Sequence, residues 1–166
     1  MTYEIFVQSF NDSNGDGIGD FNGVTEKLDY IKELGANAIW FMPIMPSPTY
    51  HKYDVTDYKA VHPDYGTMAD FKRLLDEAHA RDIKVVIDMI INHTSTEHPW
   101  FQASKSGRDN SFRDYYVWAQ KDTIAAYLNK KTVTLDSDNI RQWHDPGQGQ
   151  DYYYGFFWGG MPDLNF

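Results

Sequence analysis

The 166-residue chain has a net charge of −9 and no cysteine. The acidic balance argues against a nucleic-acid surface, which needs clustered Lys and Arg, and suits a neutral or cationic partner or a bound metal. Without cysteine there is no disulfide framework, thiolate metal site or thiol nucleophile.

No apolar run approaches the roughly 18 residues that a membrane span needs. A basic segment followed by an apolar one, the mark of a signal peptide, is not visible at the N-terminus. The length suits one ordinary domain with a real core and is short for a complete (β/α)8 barrel, which takes about 250 residues. Aromatic residues make up 16% of the chain. They serve core packing, or they stack on the apolar C–H faces of sugar rings; composition does not separate the two.

Residues 3–10 read as a strand ending at Asn11-Asp12. Val24, Leu28 and Ile31 follow helical spacing, Leu34 extends that face, and Gly35 stands where a C-terminal cap belongs. Ala36 to Met42 is a mostly apolar run of strand length, stopped by Pro43. Met68, Phe71, Leu74, Leu75 and Ala78 form the next helical stripe, preceded by Thr67 and Asp70 in capping-box positions. Ile83 to Ile91 is the third strand.

This β-α-β-α-β order with near-continuous apolar strands predicts a parallel sheet buried on both faces. The long connections, Asn11–Gly23, Pro43–Thr67 and everything from Asn92 on, all follow strand C-termini. That asymmetry fits a barrel with its site on that face; a doubly wound open sheet shares it. Residues 94–166, polar and aromatic, read as an irregular insertion after the third strand, leaving 1–93 as the barrel portion.

Three segments carry chemistry. In Asp12-Ser13-Asn14-Gly15-Asp16-Gly17-Ile18-Gly19-Asp20, side-chain oxygens recur at positions 1, 3, 5 and 9, with a Gly at position 6 for the sharp turn. Hard oxygen donors at that spacing suit Ca2+. Position 12 is Gly23, not a bidentate Glu, so this is not an EF-hand. The plainer reading is a metal-free turn of Asx and Gly residues. In Asp88-Met89-Ile90-Ile91-Asn92-His93, an Asp in an apolar strand needs a partner, and His93 is a site residue or a hydrogen-bonded structural histidine. In Tyr50-His51-Lys52-Tyr53-Asp54-Val55-Thr56-Asp57-Tyr58, a Tyr beside an Asp offers a stacking ring and an acceptor for sugar hydroxyls; singly, both are ordinary loop residues.

Together these segments resemble the α-amylase family of glycoside hydrolases. The likeness rests on Tyr3 to Phe10, the Asp12–Asp20 loop, Ala38 to Ile44, Tyr53 to Tyr58, Asp88 to His93, and Met161-Pro162-Asp163-Leu164-Asn165, six pieces in order. It implies an α/β fold: the first three βα units of a (β/α)8 TIM barrel, with domain B inserted after strand three.

It also implies site roles. Asp12, Asn14, Asp16, the Ile18 carbonyl and Asp20 are expected to bind Ca2+, with Asn92 a further ligand in some relatives. Tyr53 matches the residue stacking on the glucose at the cleavage subsite, Asp54 an acid near its non-reducing end, and His93 a histidine bonded to the same sugar. Asp88 matches an acid that supports the site. The family's retaining reaction uses two carboxyl groups about 5–5.5 Å apart, after strands four and five. None is therefore expected in this chain, which alone is expected to be inactive.

The Met-Pro-Asp-Leu-Asn form and Ser47 to Lys52 resemble α-amylases of a branch between oligo-1,6-glucosidases and neopullulanases. That favours internal α-1,4 cleavage of starch and maltooligosaccharides. The alternatives are exo-acting α-glucosidase or oligo-1,6-glucosidase action, and trehalose-synthase-like transglycosylation. A transporter-associated, non-catalytic relative or a carbohydrate-binding module are the readings of another class. Expected partners are an α-glucan and the rest of the barrel, not nucleic acid or membrane. A starch-degrading parent leans toward an extracellular or periplasmic place.

Overall fold

The computed structural model describes residues 1–128, 142–147 and 151–166. The chain forms two compact units, Met1–Ile90 and Ile91–Phe166. In the first, β1 (Thr2–Ile5) is followed by two short helices, α1 (Phe21–Glu26) and α2 (Leu28–Glu33). Then come β2 (Ala38–Phe41), the 13-residue helix α3 (Met68–Ala80) and β3 (Lys84–Ile87). The three strands pair in parallel in the order β1-β2-β3. Tyr3, Ile39 and Val85 share one register level, and Glu4, Trp40 and Val86 the next.

Side chains of successive strand residues alternate between faces. Ile5, Ile39 and Phe41 pack on one face with Val24, Leu28, Ile31, Leu74 and Ala78, all buried. The opposite face carries Glu4, Trp40 and Val86, and Val86 is 52% exposed. Within the described residues the helices cover one face of the sheet. The helices of the unit all contribute to one core, and the apolar residues of the other face stay open.

Three boundaries also differ from the sequence pattern. The first strand ends at Ile5, and Val7–Ser9 turns into a short 3-10 segment. The first helix is broken at Lys27, whose φ of −101° and ψ of 6° leave the helical region. Both halves keep their apolar residues inward, so the periodicity runs through the break. The third strand stops at Ile87, four residues early. The cap signals hold. Gly35 takes φ +83° after α2, a conformation without penalty only for glycine. Thr67 and Asp70 form the reciprocal capping box of α3.

The second unit holds α4 (Pro99–Lys105), β4 (Trp118–Gln120), α5 (Lys121–Leu128), β5 (Trp143–His144) and β6 (Asp151–Tyr154). The strands form an antiparallel sheet in the order β4-β6-β5. Its core is aromatic: Phe101, Tyr116 and Tyr153, with Trp118 and Leu164 packed on them. Asp151, 12% exposed, accepts from Arg108 at 2.6 and 2.8 Å and from Arg113 at 2.6 Å. The Arg113 guanidinium in turn lies 3.8 Å from the centre of the Trp118 ring. No helix among the described residues is long and apolar enough to cross a membrane.

Candidate functional site

Beyond the end of β3, backbone pairing continues for one residue, since Asp88 N donates to Phe41 O at 3.2 Å. By alternation Asp88 shares the open face with Trp40 and Val86. Its carboxylate accepts from the Trp40 indole Nε1 at 2.7 Å and from the Tyr53 hydroxyl at 3.0 Å. Burial, and then the bond to Asp88, raise the Tyr53 phenol above its usual pKa, so it stays protonated and donating at neutral pH. Asp88 and Tyr53, 35 residues apart, are thus brought together. Trp40 was not foreseen in this role. Its signal is positional: it is the one strand-two residue between Ile39 and Phe41, which point the other way.

The Pro43–Thr67 connection is braced from within. Asp54, 1% exposed, accepts from the Ser47 hydroxyl at 2.6 Å and from the Thr49 hydroxyl. Its carboxylate ties residues 47, 49 and 54 of the loop that carries Tyr53. Lys52 adopts φ +65°, a left-handed conformation unusual for a residue with a side chain. Tyr58, whose phenol burial pushes up to about 12, donates to the Ile90 carbonyl at 2.8 Å and so holds the segment after β3.

In the second unit His93 is buried and lies in a β-bridge with Asp163. Its Nδ1 is 3.2 Å from Asn92 Nδ2, and its ring meets Phe157 edge-on with centroids 5.2 Å apart. Leu164 N donates to the Asn92 carbonyl at 2.8 Å. The Met161–Asn165 motif is therefore one wall around His93. Asp163, to which the sequence reading gave no role, accepts from Phe156 N at 3.2 Å. Burial holds its carboxyl above the ordinary carboxylate range. A half-buried, elevated acid beside a histidine is a functional candidate on physical grounds.

The Asp12–Asp20 loop is wound into consecutive Asx turns. Asp12 accepts from Asn14, Gly15 and Gly17 N–H groups at 3.1, 2.7 and 2.8 Å. The Asn14 side chain accepts from Asp16 N at 2.9 Å, and that of Asp16 from Ile18 N at 2.8 Å. Gly15 and Gly17 sit at φ +82° and +90°. The N–H groups of Gly17 and Gly15 lower the Asp12 pKa, which keeps it ionised. Asp20 instead caps α1, accepting from Gly23 N at 2.7 Å, and also takes the Ser13 hydroxyl at 2.8 Å.

The oxygen donors of Asp12, Asn14 and Asp16 fit a hard cation in kind, since an ionised carboxylate accepting N–H bonds keeps lone pairs for one. Among the described residues no three His, Cys, Asp or Glu side chains converge as a metal cluster.

The chain is 48% identical over 164 residues to alpha-amylase 3 of Dictyoglomus thermophilum, covering 99% of this chain and 30% of that protein. It is 43% identical over 166 residues to an oligo-1,6-glucosidase of Parageobacillus thermoglucosidasius, covering 99% of this chain and 29% of the relative. The structure of a trehalose-6-phosphate hydrolase from Bacillus licheniformis superposes with a TM-score of 0.87 at 42% identity, over 99% of this chain and 29% of that one. The chain thus spans under a third of the length of these relatives. The family model for the alpha-amylase catalytic domain matches residues 4–166. The three parallel strands and their helices are part of that domain's TIM-barrel fold, and the chain belongs to the alpha-amylase family.

Proposed function

We propose that this chain is part of a retaining glycoside hydrolase acting on α-glucosidic bonds, with the α-1,4 bonds of starch and maltooligosaccharides as its substrate. The observation that carries the reading is the match of residues 4–166 to an alpha-amylase catalytic domain. The Trp40–Asp88–Tyr53 constellation supports it. A carboxylate fixed by two donors orients the phenol ring, as a stacking platform for a glucose requires. In the second unit the buried His93 is the proposed donor to a glucose hydroxyl, and in the first Asp54 holds the Tyr53 loop in place. The reacting carboxyl pair comes from further strands of a complete barrel.

Relatives with three different printed activities match at similar identity. Bond specificity is therefore tested directly. The protein encoded by the complete reading frame is assayed on maltoheptaose, isomaltose, sucrose and trehalose 6-phosphate. Internal cleavage of maltoheptaose to mixed short products is expected. Glucose released one unit at a time, or preference for isomaltose, would replace the endo-α-1,4 reading. No turnover of any α-glucoside would remove the glycosidase reading. The 166-residue chain alone is expected to release no reducing sugar from amylose. We further propose that the Asp12–Asp20 loop binds Ca2+ through Asp12, Asn14, Asp16, the Ile18 carbonyl and Asp20, as a structural ion.

A further inference from the structure

We infer that His62 is a positioning residue for the loop that carries Tyr53: its imidazole clips the Ser47 carbonyl to the Asp64 N–H, and protonation releases the clip. This rests on the reading of Tyr53 as a glucose platform and deepens it by naming a group that makes the platform sensitive to pH.

His62 joins the two ends of the Pro43–Thr67 connection. Its backbone N donates to the Ile44 carbonyl at 2.7 Å. Its ring Nε2 lies 3.3 Å from the Ser47 carbonyl, and its Nδ1 accepts from Asp64 N at 3.3 Å, capping the 3-10 turn Pro63–Tyr65. A carbonyl only accepts and an N–H only donates, so Nε2 carries the proton and Nδ1 is bare. Both nitrogens of one neutral tautomer are thus in use. The clip reaches Tyr53 through short links. The Ser47 hydroxyl donates to Asp54 at 2.6 Å, and the residue before Asp54 is Tyr53, whose hydroxyl donates to Asp88.

A second proton on the ring reverses Nδ1 from acceptor to donor and sets it against the Asp64 N–H. The Asp64 carboxylate, with an oxygen 3.6 Å from Nδ1, then draws the ring off the cap. Lys52 opposes that proton. Lys52 and His62 are 6% and 8% exposed and both belong to the unit Met1–Ile90, so any further part of the barrel only adds to that burial. Lys52 also holds φ +65°, a conformation glycine adopts freely and a residue with a side chain does not, and such strain gathers at functional positions.

Burial and then the Lys52 charge hold the His62 imidazole below its ordinary pKa of 6.5, against the Asp64 charge and the Ser47 carbonyl. Burial lowers the Lys52 ammonium in turn, and the charges of Asp64 and Asp54 support it. The Tyr65 ring, 5.4 Å from that of His62 between centroids, is kept a neutral phenol by burial. Val7–Ser9, packed on Pro63–Tyr65, and Phe21, packed on Tyr65, bring no titratable side chain. A histidine lowered in the fold leaves the clip intact above 6.5, and its contribution is lost as pH falls from there through the folded value.

The test uses the protein encoded by the complete reading frame, with KM and kcat for maltoheptaose followed against pH. KM should rise on the acid side in the wild type and not in His62→Gln, whose amide keeps the Ser47 bond and does not titrate. His62→Asn keeps the cap and loses that bond. Its KM at neutral pH should be about fivefold higher, the fold-change of one net hydrogen bond, with kcat little changed, because the platform binds the ground state too. A role in folding alone would leave KM of both folded variants at the wild-type value.

NMR of the labelled histidines reads the imidazole directly, the His62 signal being the one lost in His62→Gln. It should titrate below 6.5, and at higher pH in Lys52→Met than in wild type or in Lys52→Arg, which keeps the charge. A midpoint at or above 6.5, a midpoint that Lys52→Met leaves in place, a wild-type KM in His62→Asn, or an acid rise in KM that persists in His62→Gln overturns the proposal. If the wild type turns over no α-glucoside, the glycosidase reading falls; the NMR titration then still decides the clip.

Discussion

Asp88 leaves part of its hydration on entering the end of β3, and two donors, Trp40 and Tyr53, replace it. Tyr53→Phe removes one of those donors while keeping the ring. It should lower stability by about 1 kcal/mol, the usual net value of one hydrogen bond, read by urea denaturation. In the complete enzyme Tyr53→Ala should raise KM as well, because stacking binds the ground state too. His93 differs. A bond to a ring hydroxyl that strengthens as positive charge develops should make His93→Ala lower kcat and kcat/KM together, by about 10- to 100-fold. Steady-state kinetics on a maltooligosaccharide checks this, and wild-type kcat/KM in His93→Ala would leave it a structural histidine.

At the scale of elements, what the sequence displays is local chemistry. The capping box of α3 is written as Thr67 and Asp70 three residues apart, and the structure forms it. Thr67→Ala should therefore cost about 1 kcal/mol in thermal or urea unfolding. Gly35 is equally legible, because only a glycine takes φ +83° freely. The break at Lys27 is not legible, since the apolar spacing continues across it. Trp40 is half legible: alternation gives its face, but its partner Asp88 lies 48 residues away.

The strands of the second unit escape sequence reading for a clear reason. In β6, burial alternates over Asp151, Tyr152, Tyr153 and Tyr154, yet three identical residues show no polar–apolar alternation. The inward position at its start is an aspartate. The Asp12–Asp20 loop is legible as a turn, and its ion is testable: Asp16→Ala should abolish Ca2+ binding by calorimetry, and unchanged affinity would sink that assignment.

At the scale of the whole molecule, two carboxyls of the second unit, Asp151 and the half-buried Asp163, pull its stability in opposite directions with pH. Asp151 is held below its ordinary value of 3.8, first by the hydrogen bonds from Arg108 and then by the charges of Arg108 and Arg113. An acid with a lowered folded pKa stabilises fully above the unfolded pKa, and the contribution is lost as pH falls through the folded value. Asp163 is raised above 3.8 by burial. Its sign is the reverse: no penalty exists below the unfolded pKa, and stability declines as pH rises from there through the folded pKa.

The contributions of the two together should therefore peak near pH 3.8, the unfolded value they share. Difference curves isolate each group from the other acids of the chain. Unfolding free energy is measured by urea titration from acid to neutral pH in wild type, Asp151→Asn and Asp163→Asn. The wild type minus Asp151→Asn difference should shrink only on the acid side of that value. The wild type minus Asp163→Asn difference should change only on the other side, growing less favourable to the wild type as pH rises. An Asp151→Asn difference that stays flat through the acid range would show that the two guanidiniums do not stabilise the ionised Asp151 carboxylate.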